Sequence, residues 1–229
     1  MWRDEPRGDD RPAGITHSIR SSFAAFVDEI VLFLILNIAL VIVVAALVSF
    51  AALMPLAFAL APLLALPTAV ICRLAVTTAR GGSPRWAIVG EELLHRAGRK
   101  VVLAALQLLV LGVGLLNLSL VDEIGGVPGM LSLVVSGYAV VASSVFALTL
   151  WPIVCDPRRD GPLVDQLRLA LALVLLRPLQ LGMLAALTAL AMVASIQLVA
   201  LALMLPSLVL LASTDYIVNV ADRIRPAPE

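Results

Sequence analysis

The chain has 229 residues, 61% of them hydrophobic, a mean hydropathy of +1.04, and sixteen basic residues balanced by sixteen acidic ones. A soluble globular domain is close to half apolar, and one core in a chain of this size cannot hide the excess, which excludes a water-soluble domain. The apolar residues run continuously instead of alternating in strands, which excludes a membrane β-barrel and leaves an all-α, polytopic transmembrane helical bundle.

Residues 1–14 (MWRDEPRGDDRPAG) lack the apolar core and cleavage site of a signal peptide and read as a disordered cytoplasmic tail. Residues 15–225 read as a single transmembrane domain and 226–229 as a second short tail. Ile15, Ile19, Phe23 and Phe26 recur at helical spacing, which predicts an interfacial helix over 15–27. A spanning helix needs about 20 apolar residues, and the first such run covers 30–50. A tight outer turn at Met54 and Pro55 leads to a second span over 56–78, where Pro62 and Pro67 predict a kink or an unwound stretch. Arg80, Gly81 and Gly82 end it, and Ser83 followed by Pro84 is a helix-start signal. An amphipathic surface helix over 84–98 is expected, with Trp86, Val89, Gly90, Leu93 and Leu94 on one face. The third span covers 101–121, DEIGGVPG forms an outer turn, and the fourth covers 130–154.

Arg177 fixes the register of the remainder. An Arg at the bilayer centre is costly, so it belongs at an interface, which makes 162–176 a second surface helix and places the last two spans at 179–197 and 200–220. Pro206 and Ser207 fall inside the last of them. Basic residues cluster at Arg3–Arg20, Arg73–Lys100, Arg158–Arg177 and Arg223–Arg225, while the alternate connections carry none. Lys- and Arg-rich loops stay inside, so six spans with both termini cytoplasmic follow, and only Asp122 and Glu123 lie in an outer loop. At an offset of 78 residues Arg80 matches Arg158, Pro84 matches Pro162 and Arg99 matches Arg177. That pattern fits a parallel internal repeat and fits equally well two convergent re-entry corners.

Asp215, following Ser213 and Thr214, is the sharpest single residue, because an acid inside a membrane span marks a functional site by default. Two readings stand: a structural ion pair with Arg73 at similar depth, or a substrate or proton site shared with Asn37 and Asn117. Gln107 and Asn219 add polar groups that helix-to-helix hydrogen bonds would explain. Small residues four apart at Ala139/Ser143 and Gly182/Ala186 predict close helix packing, within one chain or between copies.

Cys72 and Cys155 fall near helix ends in a reducing compartment and read as small apolar residues. His17 and His95 are isolated, so no metal site is expected. No nucleophile elbow, phosphate loop or dinucleotide fingerprint occurs. The reading is therefore a protein without enzymatic activity, catalytic residues, cofactors or a nucleic-acid partner. Trp86, Arg85, Arg99, Lys100, Arg158 and Arg177 make up a basic face suited to anionic lipid or to a cytoplasmic partner.

The order of Asn37 in an apolar run, then LPTAVICRLAVTTARGGSPRW, a surface helix and a third span resembles the YesL-like family of uncharacterised bacterial membrane proteins. Pro67, Thr68, Ala69, Arg73, Arg80, Gly81 and Trp86 fill the family's pattern, and PLVDQLRLALALVLLRPLQL resembles its second surface helix. The chain departs from it in lacking the Trp that often follows the first-span Asn and in having few aromatics in the first surface helix. What the resemblance implies is residence in the bacterial cytoplasmic membrane and an accessory, scaffold or regulatory role beside a carbohydrate ABC transporter. The other functional expectation, from the kinked second span and Asp215, is a small secondary transporter.

Overall fold

The computed structural model describes residues 30–83, 85–197 and 205–225. The expected tails, the interfacial helix over 15–27, His17, Pro84 and the connection around 198–204 lie outside the described residues. The elements in order are α1 (Ile30–Leu53), a 3-10 segment (Pro55–Leu64), α2 (Ala65–Ala79), α3 (Trp86–Leu94), α4 (Ala97–Ser119), the single turn α5 (Val121–Ile124), α6 (Gly126–Val154), a 3-10 turn (Pro157–Arg159), α7 (Leu163–Leu176), α8 (Pro178–Gln197) and α9 (Leu205–Ile224). Every regular element among the described residues is helical.

Among the described residues four helical runs are long and apolar enough to cross a membrane: Val31–Leu53, Leu56–Ala79, Ala97–Ser119 and Gly126–Val154. A fifth arises if Leu163–Leu176 and Pro178–Ala191 are taken as one broken span, bent by 99°. The chain is a membrane-spanning α-helical protein. α9 carries Asp215, Asp222 and Arg223 and stands outside that set.

The expected distortion of the second span is a ten-residue 3-10 helix that contains Pro62 and hands over to α2. Proline lacks the N–H that an α-helical ladder needs, and its ring presses on the preceding turn. Just after Pro67, the Thr68 hydroxyl donates to the Leu64 carbonyl at 2.8 Å. α2 ends in a Schellman motif, with Gly81 N–H on Thr78 O and Gly82 N–H on Thr77 O, both at 2.9 Å. Gly81 takes the required left-handed conformation, φ 74°.

Three boundaries need correcting. The surface helix expected over 84–98 stops at Leu94, and α4 begins at Ala97 instead of 101. The break is Arg96, held at φ 49°, a left-handed conformation that no continuous right-handed helix contains. α6 begins at Gly126, four residues before the expected fourth span.

α2 lies at the centre of the bundle. Ala69, Val70, Ile71, Cys72, Leu74, Ala75 and Val76 are all buried along it. It packs most extensively against α9, while α4 packs along α6 and α7 folds back on α6. The larger core cluster gathers Ile153 of α6, Leu173 of α7, Leu181 and Leu184 of α8, and Tyr216 and Ile217 of α9. α1 and α4 instead expose rows of large apolar side chains, among them Ile42, Phe50, Leu109 and Leu116. In water those rows would be costly; against hydrocarbon they are at no disadvantage. Among the described glycines the closest approach between helices is at Gly114, where a Cβ would come within 2.6 Å of Val140 Cγ2. Of the two small-residue pairs in the sequence, Ala139 and Ser143 are half-buried on the helix that makes this contact, and the other pair is not at a close approach. Gly182 has open space where a Cβ would stand, and Ala186 is exposed.

Candidate functional site

Most charged residues of the bundle gather at one end, where α2, α6 and α9 finish and α3, α4 and α7 begin. They form three connected clusters.

The first cluster closes the ends of α2, α6 and α9. Arg80, the C-cap of α2, donates bidentately to Asp156 and at 3.1 Å to Asp222 Oδ2. Arg159 Nη2 reaches the other oxygen of Asp222 at 2.6 Å, and its Nε lies 3.6 Å from Asp156 Oδ2. Two cations and two anions thus alternate around a ring, so no charge is left without a counterpart. The Asp156 side chain is only 1% exposed and Arg159 only 7%. Burial opposes the charged form of Arg80, yet its hydrogen bonds to Asp156 and Asp222 and their negative charges outweigh it, holding the guanidinium above its ordinary value. Asp156 also caps the following 3-10 turn by accepting from Arg158 N–H at 3.1 Å.

The second cluster pins α3 to the bundle. Lys100 Nζ, 2% exposed, donates to Glu92 Oε1 at 2.6 Å and to the Glu92 carbonyl at 2.9 Å. Arg73 Nε stands 3.7 Å from Glu92 Oε2, and Arg73 Nη1 donates to the Cys155 carbonyl at 3.1 Å. The third cluster ties the start of α4 to α7. Arg96 pairs with Asp160 at 2.7 Å, with His95 3.5 Å from the same carboxylate. Arg99 donates to Gly161 O at 3.2 Å and to Gln166 Oε1, and Gln166 Nε2 donates to Arg159 O at 2.6 Å. Two arginines at a helix N-terminus work against the helix dipole, and the carbonyl and carboxylate of the 160–161 loop offset that.

These contacts revise the expected roles. Arg73 does not turn to Asp215. It takes Glu92 and the Cys155 carbonyl, one of the orphan acceptors at the end of α6, which carries the negative end of that helix dipole. Asp215 Oδ1 accepts from Asn219 Nδ2, one turn along α9, at 3.1 Å. Lys100, expected on a docking face, points inward into the second cluster and is not offered to a partner, while the half-buried Arg99 is engaged in the third cluster. Trp86, Arg85, Arg158 and Arg177 are exposed.

Several polar residues of the long helices pair between helices. Ser207 donates to Asn37 at 2.9 Å, Trp151 Nε1 donates to Gln107 at 3.1 Å, and Tyr216 donates to Gln180. Asn117 is exposed near the opposite end, beside Val127 and Pro128. Asn37, Asn117 and Asp215 are therefore not brought together. Cys72 and Cys155 are buried side by side with Ala69 as free thiols. The positions related by the offset of 78 differ in their contacts: Arg80 sits in the ring while Arg158 is exposed, and Arg99 reaches α7 while Arg177 reaches Gln180.

Asp156, Asp222, Glu92 and Gln166 were not singled out by the sequence. One signal was available: Arg73 and Arg80 are seven residues apart, as are Asp215 and Asp222. The depth argument that suggested Arg73 with Asp215 applies equally to Arg80 with Asp222, and that second pair forms. Among the described residues no group of three His, Cys, Asp or Glu side chains is placed to hold a metal. The chain matches no family model, no curated protein and no solved structure.

Proposed function

We propose that the protein is a non-enzymatic membrane scaffold with six spans and both termini cytoplasmic, which presents a rigid layer of short helices to a cytoplasmic partner. The observation that carries this reading is the double-sided character of α3. Its inner side is fixed by the buried Glu92–Lys100 pair, while Trp86 at its start is 56% exposed. An aromatic residue held out on an anchored element, with Arg85 beside it, is the composition of a binding hot spot. α8 and α9 supply the fifth and sixth spans, the charges of α9 being compensated by Asn219 and by the Arg80 ring. The resemblance to the YesL-like pattern supports the bacterial cytoplasmic membrane as the location and a component of a carbohydrate ABC importer as the partner class.

A photo-reactive amino acid at position 86, compared with one at the lipid-exposed position 138, tests the proposal. A discrete protein adduct only at 86, lost when Arg85 is replaced by Glu, is the expected result. Adducts at both positions, or at neither, would sink it.

A small secondary transporter is the second reading. It is favoured by the buried Ser213 and Thr214 hydroxyls, which have no hydrogen-bond partner among the described residues, directly before Asp215. It requires that Asp215→Asn abolish uptake in a protein that still inserts and folds.

A further inference from the structure

Two clefts of similar size, each about 200 Å³, open at the charged end, and their chemistry differs. One is lined by Glu91, Glu92, Asp156 and Asp160 against Arg73 and His95. The other lies between the Pro157–Arg159 turn, the first turn of α7, and Arg225 just past α9. Its apolar side is Ile153 and Leu169, both buried, and its polar side carries Arg158, Arg159 and Arg225.

These three arginines are not equivalent. Arg159 belongs to the ring with Asp156 and Asp222, and its buried Nε has no hydrogen-bond partner. Arg158 and Arg225 are exposed and have no ion-pair partner among the described residues. Of the two acids lining the cleft, Asp160 is already engaged by Arg96, which leaves Asp165 alone against two uncompensated guanidinium groups. α7 turns by 99° into α8, with which it forms one broken candidate span, and it exposes Leu171, Leu175 and Leu176 along its length beyond the cleft.

From this we infer a binding site for a phosphate ester bearing an apolar group. The guanidinium groups of Arg158 and Arg225 hold the phosphate oxygens through charge-assisted hydrogen bonds. The hydrocarbon next to the phosphate lies against Ile153 and Leu169. Asp165 takes a hydroxyl or amine of the headgroup. The chemistry is shared by a lipid headgroup and a soluble phosphate ester. The inference is independent of the docking proposal and holds for a scaffold or a transporter alike.

The test uses the full-length protein in neutral maltoside, with native mass spectrometry reading adducts of phosphatidylglycerol in one arm and of glycerol 3-phosphate in the other. Hydrogen bonds to a charged group are the strong ones, so Arg158→Gln is expected to weaken binding about tenfold or more and Arg158→Gln/Arg225→Gln about a hundredfold or more. Arg168→Gln removes the same charge from an exposed position of α7 outside the cleft, makes no such hydrogen bond, and is expected to change binding less than about twofold in neutral detergent. Both cleft arginines are exposed, so the variants should keep the wild-type circular dichroism. Phosphatidylglycerol binding alone identifies a lipid as the ligand, whereas glycerol 3-phosphate binding with the same sensitivity identifies a soluble ester. Equal losses from Arg158→Gln and Arg168→Gln would reduce the effect to diffuse surface charge and overturn the site. Failure of wild type to bind either probe would overturn it too.

Discussion

Replacing Lys100 with Met removes an ammonium that is 2% exposed and keeps most of its volume. Glu92, itself 6% exposed, then faces only Arg73, whose Nε at 3.7 Å is beyond hydrogen-bonding distance. Breaking a buried pair from one side costs about 3–5 kcal/mol, because the remaining charge is left desolvated. The nearby Arg73 places this case at the low end, about 3 kcal/mol, or a Tm lower by about 6–12 °C for a chain of this size. Glu92→Leu should cost a similar amount, softened because Lys100 keeps the Glu92 backbone carbonyl at 2.9 Å. The double replacement removes both desolvation penalties, and a well-packed apolar pair of similar volume is often neutral. It should therefore lie at least about 2 kcal/mol above the sum of the single changes. Unfolding in maltoside, followed by circular dichroism across all four proteins, measures that coupling. Additivity within about 0.5 kcal/mol would mean the two side chains do not act as a pair, and the anchoring of α3 would need another cause.

Other consequences are smaller and equally open to measurement. Gly81→Ala forces a Cβ into the left-handed position that ends α2, so about 1–2 kcal/mol of stability should be lost; an unchanged Tm would mean the turn has another conformation available. Arg96→Gly relieves the same conformation at the α3–α4 corner and gives up an exposed pair with Asp160 worth about 0–1 kcal/mol. Its Tm should stay level or rise, and a fall of several degrees would refute the strain assigned there. Asn37→Leu leaves the Ser207 hydroxyl without its acceptor between α1 and α9 and should cost about 0.6–1.7 kcal/mol, whereas a cost near zero would mark that hydrogen bond as incidental.

The membrane class and the helix order were legible because a span is a one-dimensional signal: about 20 apolar residues between charges. Pro62 and Pro67 announced a distorted second span, but not that ten residues would wind as 3-10 helix. Arg96 announced nothing, since a left-handed conformation in a non-glycine residue leaves no mark in the sequence. Among the site residues, sequence gave depth along a helix but not direction around it or the reach of a long side chain. Arg73 was placed at the level of Asp215, yet its guanidinium stretches to the end of α6. Lys100 read as surface charge because its partner, Glu92, lies across the helix break at Arg96.

The 3-10 segment also changes the reach of the second crossing. At about 2.0 Å per residue, its ten residues cover about 20 Å, where an α-helix would cover about 15 Å. Together with α2, at about 1.5 Å for each of its fifteen residues, the run extends a little over 40 Å, longer than α1 at about 36 Å. A hydrocarbon layer is about 30 Å thick, so the second crossing has length to spare while α1 has less. The surplus must be taken up as tilt, or by the neighbouring leaflet thickening around it. Bilayers of graded acyl length should therefore move the 3-10 end of this crossing before they disturb the charged ring at the other.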